Sequence, residues 1–399
     1  SSCVVLFTRN CSPSHRLCLA VTMPGGKGFV DSPSWFEDCF GFKEAAFKET
    51  RKHFEFAEGV LSSKPNGAQF HVGPFEIPSL TELRARHGAL AGGELGGLSF
   101  ENVTGSAKTL HLEARNAGAV FQVASQFNCL EMNEPGARPE DGVTRYYCDA
   151  TQGPACALAC PAATVYRNYL VNDGAGQAGG RQIDCLSDVG ETLQNAKRKY
   201  WKMKNGYCWP EERGSLGSLA KALEAAPDLA EAARASLRIG IHWDTEVKGG
   251  SHRVCQVFAS AVPVAYTKTL ARANEWEPFA RLVLDGAYEA TLAAAAVIAA
   301  ERQTRVVVFL TAVGGGAFGN RSFWITQAME RALVVYKDAP LDVKLVHFGS
   351  VPRGAYASLE KGRRGSAGAP RPAAKAAPAA PAVPAAPAPA PAAATAPGA

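Results

Sequence analysis

The chain has 399 residues, 47% hydrophobic and 20% charged, which excludes a wholly disordered chain and allows one large core or two to three domains. Much of the formal net charge of +5 sits at the ends, where Arg9, Arg16 and Lys27 precede every acid and Lys361, Arg363, Arg364, Arg371 and Lys375 follow the last. The near-neutral body argues against duplex DNA as a partner, and 11 cysteines, an odd count without paired two-residue spacing, argue for a reduced compartment and against a metal site.

Residues 1–30 lack Asp and Glu and carry Ser, Arg and Cys, the composition of a transit peptide. Alternatively Met23 opens a start at Met23-Pro24-Gly25-Gly26-Lys27, with the first 22 residues as upstream sequence. Either way 1–30 is expected to be disordered, and the protein to be intracellular: cytoplasmic or nuclear, or organellar if the transit peptide is real. Residues 31–97 form a region expected to pack on the main domain. Ser34 to Ala57 reads as helical, its aromatic stripe (Trp35, Phe36, Phe40, Phe42, Phe47, Phe54 and Phe56) as core. Short strands and turns follow around Pro65-Asn66-Gly67 and Phe75.

The main domain spans 98–350. It opens with an extended run, Leu98 to Gly105, and an apolar run without alternation, Ala117 to Val123, which suits a central buried strand. A polar segment, Glu131 to Thr151, leads to a helix from Ala155 to Tyr169 with a break at Pro161. An irregular insertion occupies about 172–206. Ile239 to Trp243 and Val254 to Tyr266 read as strands, and His242, Asp244 and Glu246 alternate as a solvent-facing edge or, alternatively, a metal or acid/base set. The clearest unit comes last: helix Phe279 to Arg302, strand Arg305 to Val313, a loop, helix Ser322 to Lys337 and strand Val343 to Phe348, an order that gives parallel pairing through a right-handed crossover. The Ala-rich stretch of that first helix is interrupted by Glu289, so no membrane span is expected. Residues 366–399 are almost wholly Pro and Ala, a disordered tail.

The chemistry is concentrated in that loop, Gly314, Gly315, Gly316, Ala317, Phe318, Gly319 and Asn320, between a buried strand and a helix start. Glycine permits positive φ and lets backbone amides approach an anion, while the following helix turns its free N–H groups and dipole toward the same point. Pyrophosphate suits such a loop. No Lys-Ser or Lys-Thr follows, so it is not a Walker loop.

Val306 to Asn320, fed by the helix around Phe279 to Ala299, resembles the second phosphate-binding loop of macrodomains, especially those similar to poly(ADP-ribose) glycohydrolases. Leu98 to Ser106 followed by Ala119 to Asn128 resembles that family's opening strands. The resemblance covers roughly Leu98 to Phe348. It implies a three-layer α/β/α macrodomain-like fold with a central, mostly parallel mixed sheet, ADP-ribose or a related nucleotide diphosphate as ligand, ADP-ribosylated macromolecules as partners, and no cofactor. In the family a strand-end Asn contacts the distal ribose, and Gln122, Ser125 and Asn128 occupy that neighbourhood. The first phosphate loop corresponds to Gln152, Gly153, Pro154 and Ala155 after Thr151.

Two departures matter: Ser106 stands where the family has an adenine-recognising acid, and no Glu-Glu pair exists for glycoside chemistry. Glu131, Glu134 and Asp149 are the nearest acids and hence the candidate catalytic residues. The resemblance therefore points to a reader of ADP-ribose, with a hydrolase of the same fold or a ligand-free interaction domain as alternatives. Tyr146, Tyr147, Tyr166, Arg167, Asn168 and Tyr169 surround the first loop as core or base-stacking groups. Cys156, at a helix start, is a candidate nucleophile.

Overall fold

The structure, a computed structural model, describes residues 32–90, 95–352, 354 and 356–360. The segments 1–30 and 366–399, expected to be disordered, lie outside the described residues.

Two short helices, Trp35–Phe40 and Phe47–Lys52, lead into an antiparallel meander of β1 (Phe54–Ala57), β2 (Val60–Ser63) and β3 (Gln69–His71). Trp35, Phe36, Phe40 and Phe54 are buried against Val165 and Tyr169 of the helix Pro161–Tyr169, so most of the stripe is core, while Phe56 stays exposed. Glu44 fastens this layer. Its carboxylate accepts from the amides of Val143 (2.8 Å) and Thr144 (2.7 Å) and from the Tyr169 hydroxyl (2.6 Å).

A seven-stranded mixed sheet organises the rest. Its strands are β4 (Phe75–Glu76), β5 (Ser99–Thr104), β6 (Val120–Ala124) and, after a hairpin of β7 (Trp201–Lys204) and β8 (Tyr207–Pro210), β9 (Gly240–Glu246), β10 (Arg253–Ala259), β11 (Val306–Leu310) and β12 (Leu341–His347). They lie in the order β4-β9-β10-β6-β11-β12-β5, with β6 at the centre. From β10 to β5 every pair is parallel, while β4–β9 and β9–β10 are antiparallel.

In β11 the unbroken Val306-Val307-Val308-Phe309-Leu310 reflects burial on both faces. Val306, Val308 and Leu310 join the larger core, and Val307 and Phe309 the opposite one. On the first face pack helices Leu80–Ala89, Ser215–Ala225, Pro227–Ser236, Ala273–Arg302 and Ser322–Val335; on the other pack Ala107–Leu112, Gln152–Ala159 and Pro161–Tyr169. This is the expected three-layer arrangement.

The long helix begins at Ala273, six residues before the expected start, with the Glu275 carboxylate accepting from the Arg272 amide at 2.7 Å. By length and composition it could cross a membrane, yet its apolar stretch is buried by the protein itself. Alanine brings it close to the sheet and to helix Ser322–Val335. Its buried Glu289 ties two neighbours, accepting from Arg84 Nε at 2.6 Å and from Arg331. Burial raises this carboxyl, but the two guanidiniums more than reverse that and hold it below its usual range.

Candidate functional site

Because β10, β6, β11, β12 and β5 run parallel, the loops leaving their C-terminal ends share one edge, where ligands of open α/β sheets bind. The Gly314–Asn320 loop leaves β11 at this edge. Tyr288 steadies its approach, its hydroxyl donating to Thr311 O (2.7 Å) and accepting from the Val313 amide (3.0 Å). Gly314 (φ +72°) lies so close to Ala261 that a Cβ would sit 2.4 Å from that residue's methyl. Asn320, buried, closes the loop through Nδ2 to Val262 O (2.9 Å) and its amide to Gly314 O (2.9 Å).

Between these fixed ends lie the exposed Gly316 and Ala317 and the half-buried Phe318. Among the described residues nothing accepts from their three amides, nor from those of Ser322 and Phe323, and no side chain caps the helix Ser322–Val335. Five N–H groups without a protein acceptor thus fall between Gly316 and Phe323, the kind of donors from which anion sites at helix starts are built.

The first loop is built differently. Gln152 grips the end of β6 as a further strand would: its Oε1 accepts from the Ala124 amide at 2.8 Å and its Nε2 donates to Gln122 O at 2.7 Å. Gly153 then touches the strand end, where a Cβ would fall 1.9 Å from Ala124 O. Pro154 is buried and Ala155 half-buried. The Gln122 side chain is interior, donating to Thr291 Oγ1 (2.9 Å) and accepting from the Thr311 amide. Ser125 is buried with its hydroxyl on Gln126 O. Asn128 is covered by the insertion: Nδ2 donates to Gln182 Oε1 at 3.0 Å, and Gly206 at the hairpin turn presses on the amide. Gln122 within β6 and Gln152 and Asn128 near its end thus have their side chains engaged in the fold.

The three candidate acids separate. Glu131 is buried and faces inward to Arg167, whose Nη2 donates to both carboxylate oxygens at 3.1 and 3.2 Å while Nε donates to Cys129 O at 2.8 Å. Burial pushes the Glu131 carboxyl up to about 7, Arg167 opposing. The exposed Glu134 and half-buried Asp149 lie elsewhere. Both are near enough to Tyr207 to help burial raise its phenol, and Asp149 does the same at Tyr266. Both tyrosine rings pack on Phe318 with centroids 5.6 Å away, so these two acids and the glycine loop share one aromatic patch.

The remaining sequence candidates belong to the core. Tyr146 accepts from the Glu131 amide, and Tyr166 packs on Phe56, Phe75 and His242. His242 is not on a solvent-facing edge. β4 pairs outside β9, Phe75 opposite His242, and buries the ring, which burial first and then Arg167 keep neutral. Asp244 and Glu246 turn instead to Arg253 and His71. Cys156 is buried and its thiol raised well above the usual range, the opposite of an activated nucleophile. Among the described residues no cluster could hold a metal ion.

One residue escaped the sequence reading. Phe348, immediately after β12, is 75% exposed. It directly follows β12, which pairs in parallel with β11, so it lies at the same C-terminal edge of the sheet from which the glycine loop leaves. A cavity of about 10 Å³ behind β10, touching Phe127, Cys185 and Ser260, is far too small for a nucleotide.

The Glu131 carboxyl makes stability depend on pH. Its folded value near 7 exceeds the unfolded value of about 4.3, so its contribution is complete below pH ~4.3 and is lost as pH rises through 7. At roughly 1.4 kcal/mol per unit, the loss is on the order of 4 kcal/mol. Urea unfolding between pH 4.5 and 8 is expected to show this decline in the wild type and a shallower one in Glu131→Gln; equal slopes would mean that Glu131 ionises without penalty.

No family model matches the sequence, and no curated protein matches it. Solved structures to which the chain is similar include poly(ADP-ribose) glycohydrolase from Thermomonospora curvata (12% identity over 76% of this chain and 92% of that one, TM-score 0.37). Another is a point mutant of poly(ADP-ribose) glycohydrolase from Deinococcus radiodurans in complex with ADP-ribose (10% identity, 73% and 94% coverage, TM-score 0.38). The Thermomonospora curvata enzyme bound to the inhibitor ADP-HPD matches with 12% identity, 76% and 92% coverage and a TM-score of 0.36.

Proposed function

We propose that this protein is a macrodomain-like reader that binds ADP-ribose or a related nucleoside diphosphate along the C-terminal edge of its sheet. The observation that carries the reading is the run of unspent amides at Gly316, Ala317 and Phe318, continued by the uncapped helix at Ser322. A diphosphate supplies acceptors and negative charge to that run. The resemblance of Val306 to Asn320 to the macrodomain loop supports ADP-ribose as the diphosphate. The exposed Phe348 ring offers a stacking face for the base, which Ser106 leaves without the usual acid.

Reading rather than cleavage is favoured because Glu131, the acid closest in sequence to the strand end, is engaged by Arg167. A hydrolase reading rests on Glu134 and Asp149, which face the aromatic patch beside the loop. Calorimetric titration tests the proposal. ADP-ribose and ADP should bind and AMP should bind more weakly, and Phe348→Ala should lose about 1–3 kcal/mol of affinity for the base. No heat from either diphosphate would sink the reading. Release of ADP-ribose from modified protein should be negligible; robust release, abolished in one of Glu131→Gln, Glu134→Gln or Asp149→Asn, would identify a hydrolase and its acid.

A further inference from the structure

The segment between Glu191 and Glu211 contains no acid and five cations: Lys197, Arg198, Lys199, Lys202 and Lys204. This is a local excess. Setting aside the eight cations outside the span of the acids, the chain has 34 Lys and Arg against 37 Asp and Glu. The segment is also firmly shaped. Asn195 Oδ1 accepts from the amides of Tyr200 (2.8 Å) and Trp201 (3.3 Å), its Nδ2 donates to Trp201 O (2.9 Å), and both rings are buried. Gln194 and Arg198 hold left-handed backbone, with φ of +57° and +54°.

Anchored so, the loop turns Lys197, Arg198 and Lys199 to solvent side by side, and β7 continues the charge to the exposed Lys204. Among the described residues only Lys202 of the five is ion-paired, with Glu211 at 3.2 Å. Glu191 lines the same hollow as Lys197 and Lys199 without making an ion pair to them, so the cations outnumber their counter-charges, and the repulsion among them is relieved when a polyanion binds. An aromatic ring lies within the patch: Trp209, half-buried, has Lys204 Nζ 5.1 Å from its centroid. The hairpin turn Asn205-Gly206 rests on the segment that follows β6, Gly206 O accepting from the Phe127 amide at 2.9 Å and Asn205 Nδ2 donating to Pro135 O at 3.0 Å. The cationic track therefore ends beside the sheet edge.

We infer that the surface from Lys197 to Lys204, with Trp209, docks a single-stranded nucleic acid. Cations that follow a backbone together with a ring that can receive a base are the combination single strands require, whereas an acidic peptide needs only the charge. The patch is confined to one short loop and hairpin, too small to embrace a duplex. The inference is independent of ADP-ribose binding.

Fluorescence anisotropy with a labelled single-stranded oligoribonucleotide and the full chain tests it. Binding should weaken with salt, log K against log [salt] falling by about 0.7 for each phosphate contacted, so by roughly 3 for four cations. Replacing Lys197, Arg198 and Lys199 together by Gln should reduce affinity roughly tenfold or more at low salt with an unchanged circular dichroism spectrum, and Trp209→Leu should weaken binding further. Gly316→Glu, which addresses only the glycine loop, should leave oligonucleotide binding intact. Wild-type affinity in the triple variant, a salt slope near zero, or equally tight binding of polyglutamate at the same salt would each overturn the inference.

Discussion

Gly316→Glu is expected to abolish nucleotide binding while leaving the unfolding midpoint close to that of the wild type. Gly316 has no positive φ requirement, and a Cβ placed there meets nothing within 4 Å, so the backbone accepts a side chain without strain. The new carboxylate would stand among the free amides of Gly316, Ala317 and Phe318, occupying the donors and cancelling the positive field that a diphosphate needs. Charge-assisted hydrogen bonds contribute about 1.5–3 kcal/mol each, so losing two reduces affinity by at least about a hundredfold. Gly316→Ala is the control and should bind nearly as the wild type does. Calorimetry on the three proteins decides: undiminished ADP-ribose binding by Gly316→Glu would make the loop a packing turn.

The largest effect on stability is expected from Arg167→Leu. Arg167 and Glu131 are both fully buried, and the guanidinium also lies over the Phe258 ring at 3.8 Å and supports the Cys129 carbonyl. Removing one partner of such a pair costs about 3–5 kcal/mol, because it leaves a desolvated charge or forces its neutralisation. Glu131 would respond by taking up a proton, which its already raised carboxyl makes easier than usual. The penalty should therefore shrink at pH 5 relative to pH 8. Arg167→Leu combined with Glu131→Leu should cost less than Arg167→Leu alone, since a well-packed apolar pair has no charge to desolvate. A loss under about 1 kcal/mol in the single variant would show that water reaches the pair.

Much of the site's frame follows from local sequence. The unbroken apolar run of β11, the glycines after it and the polar helix start could hardly be arranged otherwise, because a strand buried on both faces needs apolar residues throughout and a tight strand-to-helix turn needs glycine. Ala117 to Val123 likewise announced the central strand, and Pro161 the break at Cys160 between helices Gln152–Ala159 and Pro161–Tyr169.

The end of the expected irregular insertion is instead the first strand and turn of a hairpin whose second strand, Tyr207–Pro210, lies just beyond it. Asn205-Gly206, with φ of +49° and +78°, joins strands in which Lys202 and Lys204 alternate with Trp201 and Met203, the signature of a two-residue turn. The long helix starts six residues before Phe279, with Pro278 inside it, because its first turn is held by the Glu275 cap and the buried Trp276.

The sequence alone determined the layered α/β class, the centre of the sheet, the aromatic seam at the N-terminus and the position of the glycine loop, since each depends on residues adjacent in the chain. Only the tertiary structure decided which polar groups remain available. Glu131 is taken by Arg167, 36 residues away, and Gln122 by Thr291, 169 away. Asn128 is closed over by Gln182 and Gly206, and His242 becomes interior because β4 adds a strand outside β9. Phe348 comes to the loop's edge of the sheet only through the parallel pairing of β11 and β12. Burial and hydrogen-bond satisfaction are properties of contacts between distant segments, and a polar residue carries the same letter whether its partner is a ligand, water or another part of its own chain.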